Sequence, residues 1–174
     1  SFESMNQMRQ LIVIPARLSS WRFPNKPLTD LLSMPMFEHV YRRSELVANI
    51  DDIVLALCDK ELYDIAVNKG MKAIMTSNEH KTACERVAEA SQIMGYTSHD
   101  DIVINVQADE PVVPPPVIEM TRDLLLSKNT NNCANLVEHI TDTNELNNRH
   151  RVKAILSVNN NLIFLSRESV PSTL

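Results

Sequence analysis

Glycine is nearly absent from this chain, with Gly70 and Gly95 the only two among 174 residues. A phosphate cradle of the P-loop kind needs several glycines at fixed spacing, so ATPase chemistry of that type is not supported. Both glycines instead follow helix-like segments, where each reads as a C-terminal stop. Cysteine is scarce too. Cys58, Cys84 and Cys133 are odd in number, far apart and without a C-x-x-C pair. They support neither a disulfide framework nor a zinc box, and they fit a reducing, cytoplasmic setting. No apolar run approaches the ~20 residues that span a bilayer, and the first ten residues lack a signal-peptide core, so membrane insertion is not expected. Surplus positive charge is missing as well. A net charge of −5 and a pI near 5.5 argue against a general nucleic-acid binder. His39, His80, His99, His139 and His150 show no H-x-x-x-H pairing, which gives no histidine metal cluster.

The chain is 44% hydrophobic, enough for one globular domain over residues 11–174, with residues 1–10 a disordered or tag-derived N-terminus. Leu11 to Pro15 has the pattern of a short strand buried on both faces, and Phe37 to Val47 reads as a helix. Asp52 to Leu57 is the next strand. Asp59 caps a helix through about Asn68, Gly70 ends it, and a short strand runs from Lys72 to Met75. Thr82 to Met94 is helical, and Asp101 to Gln107 is a strand that stops abruptly. Pro114 to Pro116 opens another helix. A strand at Asn132 to Glu138, a short helix near Asp142 to Asn148 and a hairpin of Val152–Val158 with Leu162–Leu165 complete the reading. Alternating helices and apolar strands predict an α/β fold, a three-layer α/β/α sandwich with a mostly parallel central sheet. Ligands of such sheets bind beyond the carboxyl ends of the strands.

Two charged loops fall at such ends. The first strand runs straight into a loop carrying Arg17, Arg22 and Lys26, stiffened by Pro15, Pro24 and Pro27, which suits a polyphosphate and the charge of a leaving pyrophosphate. The strand ending at Gln107 is followed by Asp109 and Glu110. A carboxylate placed by a stiff strand opposite a phosphate loop is what Mg²⁺ requires, since that ion takes one or two carboxylates and completes its shell with phosphate oxygens and water. Ser19 and Ser20 have no base partner, so a nucleophilic serine is not expected.

The residues Ile14-Pro-Ala-Arg17, Arg22, Pro24, Lys26-Pro-Leu28 and Asn105-Val-Gln-x-Asp-Glu-Pro111, with His80 to Arg86 between them, resemble the sugar-acid cytidylyltransferases over nearly the whole chain. The resemblance implies a Rossmann-like nucleotidyltransferase fold and CTP-dependent activation of a 2-keto sugar acid, 3-deoxy-manno-octulosonate, for lipopolysaccharide or surface polysaccharide synthesis. It implies Pro15, Ala16 and Arg17 on the nucleotide, Arg22 and Lys26 on its phosphates, and Thr82, Glu85 and Arg86 beside cytosine and ribose. Gln107 would lie between nucleotide and sugar acid, Asp109 would hold Mg²⁺, and Ser166, Arg167 and Pro171 would lie beside the sugar acid. The catalytic set so implied is Arg17, Lys26 and Asp109, and His80 would position its loop. The family has glycine where this chain has Asn25, Ala83 and Ala108, and threonine where it has Trp21 and Cys84. Those changes leave open a catalytically impaired nucleotide-binding or assembly homologue, and a nucleotidyltransferase for another sugar acid such as neuraminate. The family also continues past the position of Leu174 with sugar-acid contacts, much of a dimer interface and a second metal-binding aspartate, so a homodimer is expected where that segment is present.

Overall fold

The computed structural model describes residues 8–18, 30–31, 34–110, 112–127 and 133–170. The chain forms two compact units, Ser1–Asn131 and Asn132–Leu174.

In the first unit, strands β1 (Gln10–Ala16), β4 (Asp52–Leu57), β5 (Ala73–Met75) and β6 (Ile102–Asn105) form a parallel sheet in the order β5-β4-β1-β6. The apolar run of β1 makes it a central strand, because a parallel sheet is covered on both faces. Successive side chains then serve opposite layers. Ile12, Ile14 and Ala16, with Leu55 and Leu57, pack on Phe37, Val40 and Tyr41 of α1 (Met36–Ser44), Leu62 and Ala66 of α2 (Lys60–Asn68), and Ile118 of α4 (Pro115–Ser127). Leu11, Val13, Val54 and Ala56 pack on Val87 and Ala90 of α3 (Ala83–Ile93) and on Tyr96. These two clusters make the expected three layers. Each fully buried Leu, Ile or Val contributes about 1.5–3 kcal/mol.

Both glycines stop helices as expected. Gly70 and Gly95 have φ of +73° and +76°. After α2, Met71 donates to the Ala66 carbonyl and Gly70 to that of Val67; after α3, Tyr96 donates to Ser91 and Gly95 to Gln92. This is the Schellman pattern, and its customary apolar residue after the glycine is the buried Met71 in one case and Tyr96 in the other.

The amino ends of the strands are stitched by polar pairs. Arg9 meets Asp101 at 2.8 Å, Lys72 meets Asp52 at 2.7 Å, and the Tyr96 hydroxyl donates to Asp52 at 3.0 Å. Burial first, and then that hydrogen bond, push the Tyr96 phenol up to about 12.

Several expectations need correction. The first helix ends at Ser44 rather than Val47, where the Ser44 hydroxyl donates to the Val40 carbonyl and a turn follows with Asn49 at φ +61°. A two-residue antiparallel pair, β2 (Asp30–Leu31) with β3 (Met34–Pro35), was not foreseen. No strand forms at 133–138, where the chain is mostly exposed and has no ladder partner.

The second unit contains α5 (Thr143–Asn147), capped by the Asp142 carboxylate, and the expected antiparallel hairpin of β7 (Lys153–Leu156) and β8 (Leu162–Ser166). Asn160 turns the hairpin at φ +60°, a conformation asparagine tolerates. Lys153 is only 4% exposed, and its ammonium is satisfied by the carbonyls of Asn148, Arg151 and Arg167 at 2.7, 3.1 and 2.6 Å.

Candidate active site

A parallel sheet delivers all its carboxyl ends to one edge. From β1 the chain steps outward to β4 and β5, then returns by α3 on the opposite face to β6, on the far side of β1. The winding therefore reverses between β1 and β6, and the crevice outside that pair is where such folds take ligands. The register Val13↔Asn105 holds these two ends side by side, and Val106 still donates to the Val13 carbonyl at 3.0 Å.

This pairing sets Arg17, just past the end of β1, beside the strand end that leads to Gln107 and Asp109. Pro15 and Ala16 are buried, so their side chains serve the core and only their backbone faces the edge; Arg17 is half-buried just beyond them. Gln107 donates through Nε2 to the Asn105 side chain at 3.1 Å, and Glu110 donates to the Gln107 carbonyl, closing a turn with Ala108 and Asp109 at its tip. Ala108 points its methyl into the main core cluster, whereas Asp109 is exposed. Neither Ala83 nor Ala108 has positive φ, so the backbone makes no demand for glycine at either position. Arg22, Asn25, Trp21 and Lys26 lie outside the described residues.

At the end of β4, Asp59 departs from its expected role. It occupies the N-cap position of α2 but makes no capping bond; its Oδ2 accepts from the Leu18 amide at 2.8 Å. The register Ala16↔Leu57 explains this, since two residues further on Leu18 faces Asp59. Asp59 thus fixes the start of the basic loop. Beside it, burial pushes the Cys58 thiol up, while Arg86 and Arg17 pull it the other way.

At the end of β5, Thr76 donates its amide and hydroxyl to the Leu57 carbonyl at 2.7 and 2.9 Å. Arg86, 3% exposed, reaches under this loop from α3 and donates to Thr76 Oγ1 at 2.5 Å and to the Ser77 carbonyl at 3.0 Å. Thr82 and Glu85 form a reciprocal capping box at the start of α3. Backbone donors Thr82 and Lys81 hold the Glu85 carboxyl below its ordinary range. One turn on, Glu89 Oε2 accepts from the Ser77 amide at 2.9 Å and lies 2.5 Å from His80 Nε2. Those two partners, the amide first, hold the Glu89 carboxyl low. Arg167 belongs to the second unit, where its Nη1 lies 3.4 Å from the carbonyls of Arg149 and His150.

The edge from β5 to β6 spans three strand spacings of about 4.8 Å, roughly 14 Å in all, with the loop held by Arg86 and Glu89 at the β5 end, Arg17 after central β1, and Gln107 and Asp109 after β6. Among the described residues, no group of three or more His, Cys, Asp or Glu side chains could hold a metal. A cation that needs one carboxylate and takes its remaining ligands from phosphate and water fits Asp109. No helix among the described residues is long and apolar enough to cross a membrane.

Comparison with known proteins bears on this edge. The 3-deoxy-manno-octulosonate cytidylyltransferase of Francisella tularensis subsp. holarctica (strain LVS) is 39% identical over 160 residues, covering 92% of this chain and 63% of the relative. The enzyme of that name from Coxiella burnetii (strain Dugway 5J108-111) is 34% identical, covering 92% and 64%. The chain thus spans a little under two thirds of the length of the curated relatives it matches. Among solved structures, CMP:2-keto-3-deoxy-manno-octonic acid synthetase complexed with CTP superposes with a TM-score of 0.77 at 30% identity, covering 94% of this chain and 66% of that one. A cytidylyltransferase from Leptospira borgpetersenii serovar Hardjo-bovis (strain JB197), at 19% identity and a TM-score of 0.59, shares the fold, covering 71% of this chain and 51% of its own. The sequence model of the cytidylyltransferases matches residues 11–173, which takes in β1, β6 and the carboxyl edge between them, and on that match the chain belongs to the cytidylyltransferase family.

Proposed function

We propose that this chain carries the nucleotide site of an enzyme that couples CTP to a 2-keto sugar acid, 3-deoxy-manno-octulosonate, giving a CMP-sugar and pyrophosphate for lipopolysaccharide or surface polysaccharide synthesis. The observation that carries the reading is the adjacency of the β1 and β6 carboxyl ends, with Arg17 on one and Gln107 and Asp109 on the other. Relatives named for this reaction support the choice of nucleotide and acid.

In that reaction the anomeric hydroxyl oxygen attacks the α-phosphorus of CTP. A new P–O bond forms, the bond from α-phosphorus to the bridging oxygen breaks, pyrophosphate leaves with the electron pair, and the hydroxyl proton passes to solvent. No covalent enzyme intermediate is required. Arg17, with Arg22 and Lys26 of the same loop, offsets charge on the phosphates. The backbone of Pro15 and Ala16 lines the nucleotide, Thr82 and Arg86 set the loop beside the base and ribose, and Gln107 separates nucleotide from acid. Arg167 is assigned to the sugar acid by the resemblance alone. Asp109 would hold Mg²⁺, which when bound neutralises and orients phosphate oxygens. Where the family's C-terminal segment is present, the working form is a homodimer.

Pyrophosphate release should require CTP, Mg²⁺ and the sugar acid together. Asp109→Asn should lower it about 10²-fold or more, with the protein still folding cooperatively, because Asp109 is exposed. Equal release by the wild type and Asp109→Asn would overturn the assignment of Asp109.

A further inference from the structure

The segment joining β5 to α3 is held in an unusual way. Residues 77–82 are Ser-Asn-Glu-His-Lys-Thr, with no apolar side chain to seat in either core cluster. Three neighbouring side chains of α3 hold them instead. Glu85 accepts from the amides of Lys81 and Thr82 at 2.7 and 3.0 Å. Arg86 donates to Thr76 and to the Ser77 carbonyl. Glu89, one turn beyond Glu85 and so on the same side of the helix, accepts from the Ser77 amide and meets His80 through the same oxygen. Glu85 makes an ordinary capping box and Arg86 is buried, so both are accounted for by helix and core. Glu89 is accounted for by neither. Its side chain is 32% exposed, and its bonds to other described residues close the loop onto itself between Ser77 and His80.

We propose that Glu89 is a positioning residue for the nucleotide. Its carboxylate latches Ser77 to His80 and so sets the β5–α3 loop, before CTP arrives, in the shape that receives the base and ribose. The inference rests on the cytidylyltransferase reading for the identity of the ligand. Its physical basis is the cost of ordering backbone, about 1–2 kcal/mol per residue, which a loop ordered in advance does not pay again on binding. A carboxylate accepting from an amide and an imidazole supplies charge-assisted bonds for this purpose. The position at the carboxyl end of β5, on the edge that also carries Arg17 and Asp109, places the latch where it shapes nucleotide binding and leaves the reacting phosphate to other residues.

Glu89→Ala and Glu89→Gln separate this role from general folding, since Gln keeps an oxygen that accepts from Ser77 and His80. Glu89→Ala should raise KM for CTP about tenfold, the loss of about one charged hydrogen bond, with kcat and the sugar-acid KM within twofold of wild type. Glu89→Gln should restore most of the CTP affinity. Calorimetric CTP binding should move by the same factor, and the Ser77 amide of the nucleotide-free protein should exchange faster in Glu89→Ala than in Glu89→Gln. An unchanged CTP affinity in Glu89→Ala, or a proportional loss for both substrates, would overturn the latch while leaving the cytidylyltransferase reading intact. If the wild type binds CTP without turnover, the reading falls and the calorimetric comparison alone decides the latch. If it binds no CTP, both fall.

Discussion

Ala108 stands where the resemblance implies glycine, and its methyl lies inside the main core cluster at 6% exposure. The side chain therefore adds packing beneath the Asp109 turn and takes no room from a ligand above it. Ala108→Gly should cost about 1 kcal/mol in chemical denaturation, from one lost buried methyl and a freer unfolded backbone, with no gain in CTP affinity. A glycine variant that bound CTP markedly tighter would show that the methyl obstructs the site. Asp59 teaches a complementary lesson. An aspartate just before a helical pattern reads as a cap, yet its carboxylate goes to Leu18 across the sheet edge. Cap and loop anchor use the same residue type, and only the register of β1 against β4 distinguishes them.

Among the elements, the two glycines are placed by conformation alone. A Cβ on Gly70 or Gly95 would meet nothing within 4 Å, yet both have strongly positive φ. Gly70→Ala and Gly95→Ala should each destabilise the fold by about 1–2 kcal/mol, the left-handed penalty for an L-residue, measurable as a shift in the urea midpoint at constant slope; an unchanged midpoint would contradict this. These helix ends were legible in the sequence because glycine ends a helix by a local rule. The strands β1, β4 and β6 of the parallel sheet are legible for a similar reason, since each is a short apolar run cut off by charged or turn residues. At 133–138 the same kind of signal misled: Leu136 and Val137 supply apolar residues, but both are exposed with no partner strand. The β2–β3 pair escaped notice because two-residue ladders have no period to detect. Of the candidate site, Arg17, Gln107 and Asp109 are legible from strand-end position, whereas the role proposed for Glu89 is not, because it depends on a turn of helix folding back onto a loop.

Across the whole first unit the sheet is asymmetric from end to end. Its amino edge is closed by Arg9–Asp101, Lys72–Asp52 and Tyr96–Asp52, and its carboxyl edge carries the candidate site. Asp52 is held below its ordinary range first by Lys72, Asp101 first by Arg9, Glu85 by its backbone donors and Glu89 by the Ser77 amide. A depressed folded-state value means that each contribution is complete above the unfolded carboxylate range near 4 and is lost as pH falls through the folded values. Stability should therefore drop steadily below about pH 4–5, and Asp52→Asn should flatten that slope. Tyr96, raised to about 12, acts at the other extreme: its contribution is complete below the unfolded phenol value near 10 and is lost as pH rises toward the folded one. Denaturation midpoints that did not vary with acidification would contradict this reading of the amino edge. The reaction proposed for the carboxyl edge is most directly followed by the ³¹P spectrum of CTP, Mg²⁺ and 3-deoxy-manno-octulosonate during incubation with the chain. The three CTP resonances should give way to one CMP-diester signal and to pyrophosphate in equal molar amount, and a CTP spectrum unchanged at high protein concentration would contradict the proposed cytidylyl transfer.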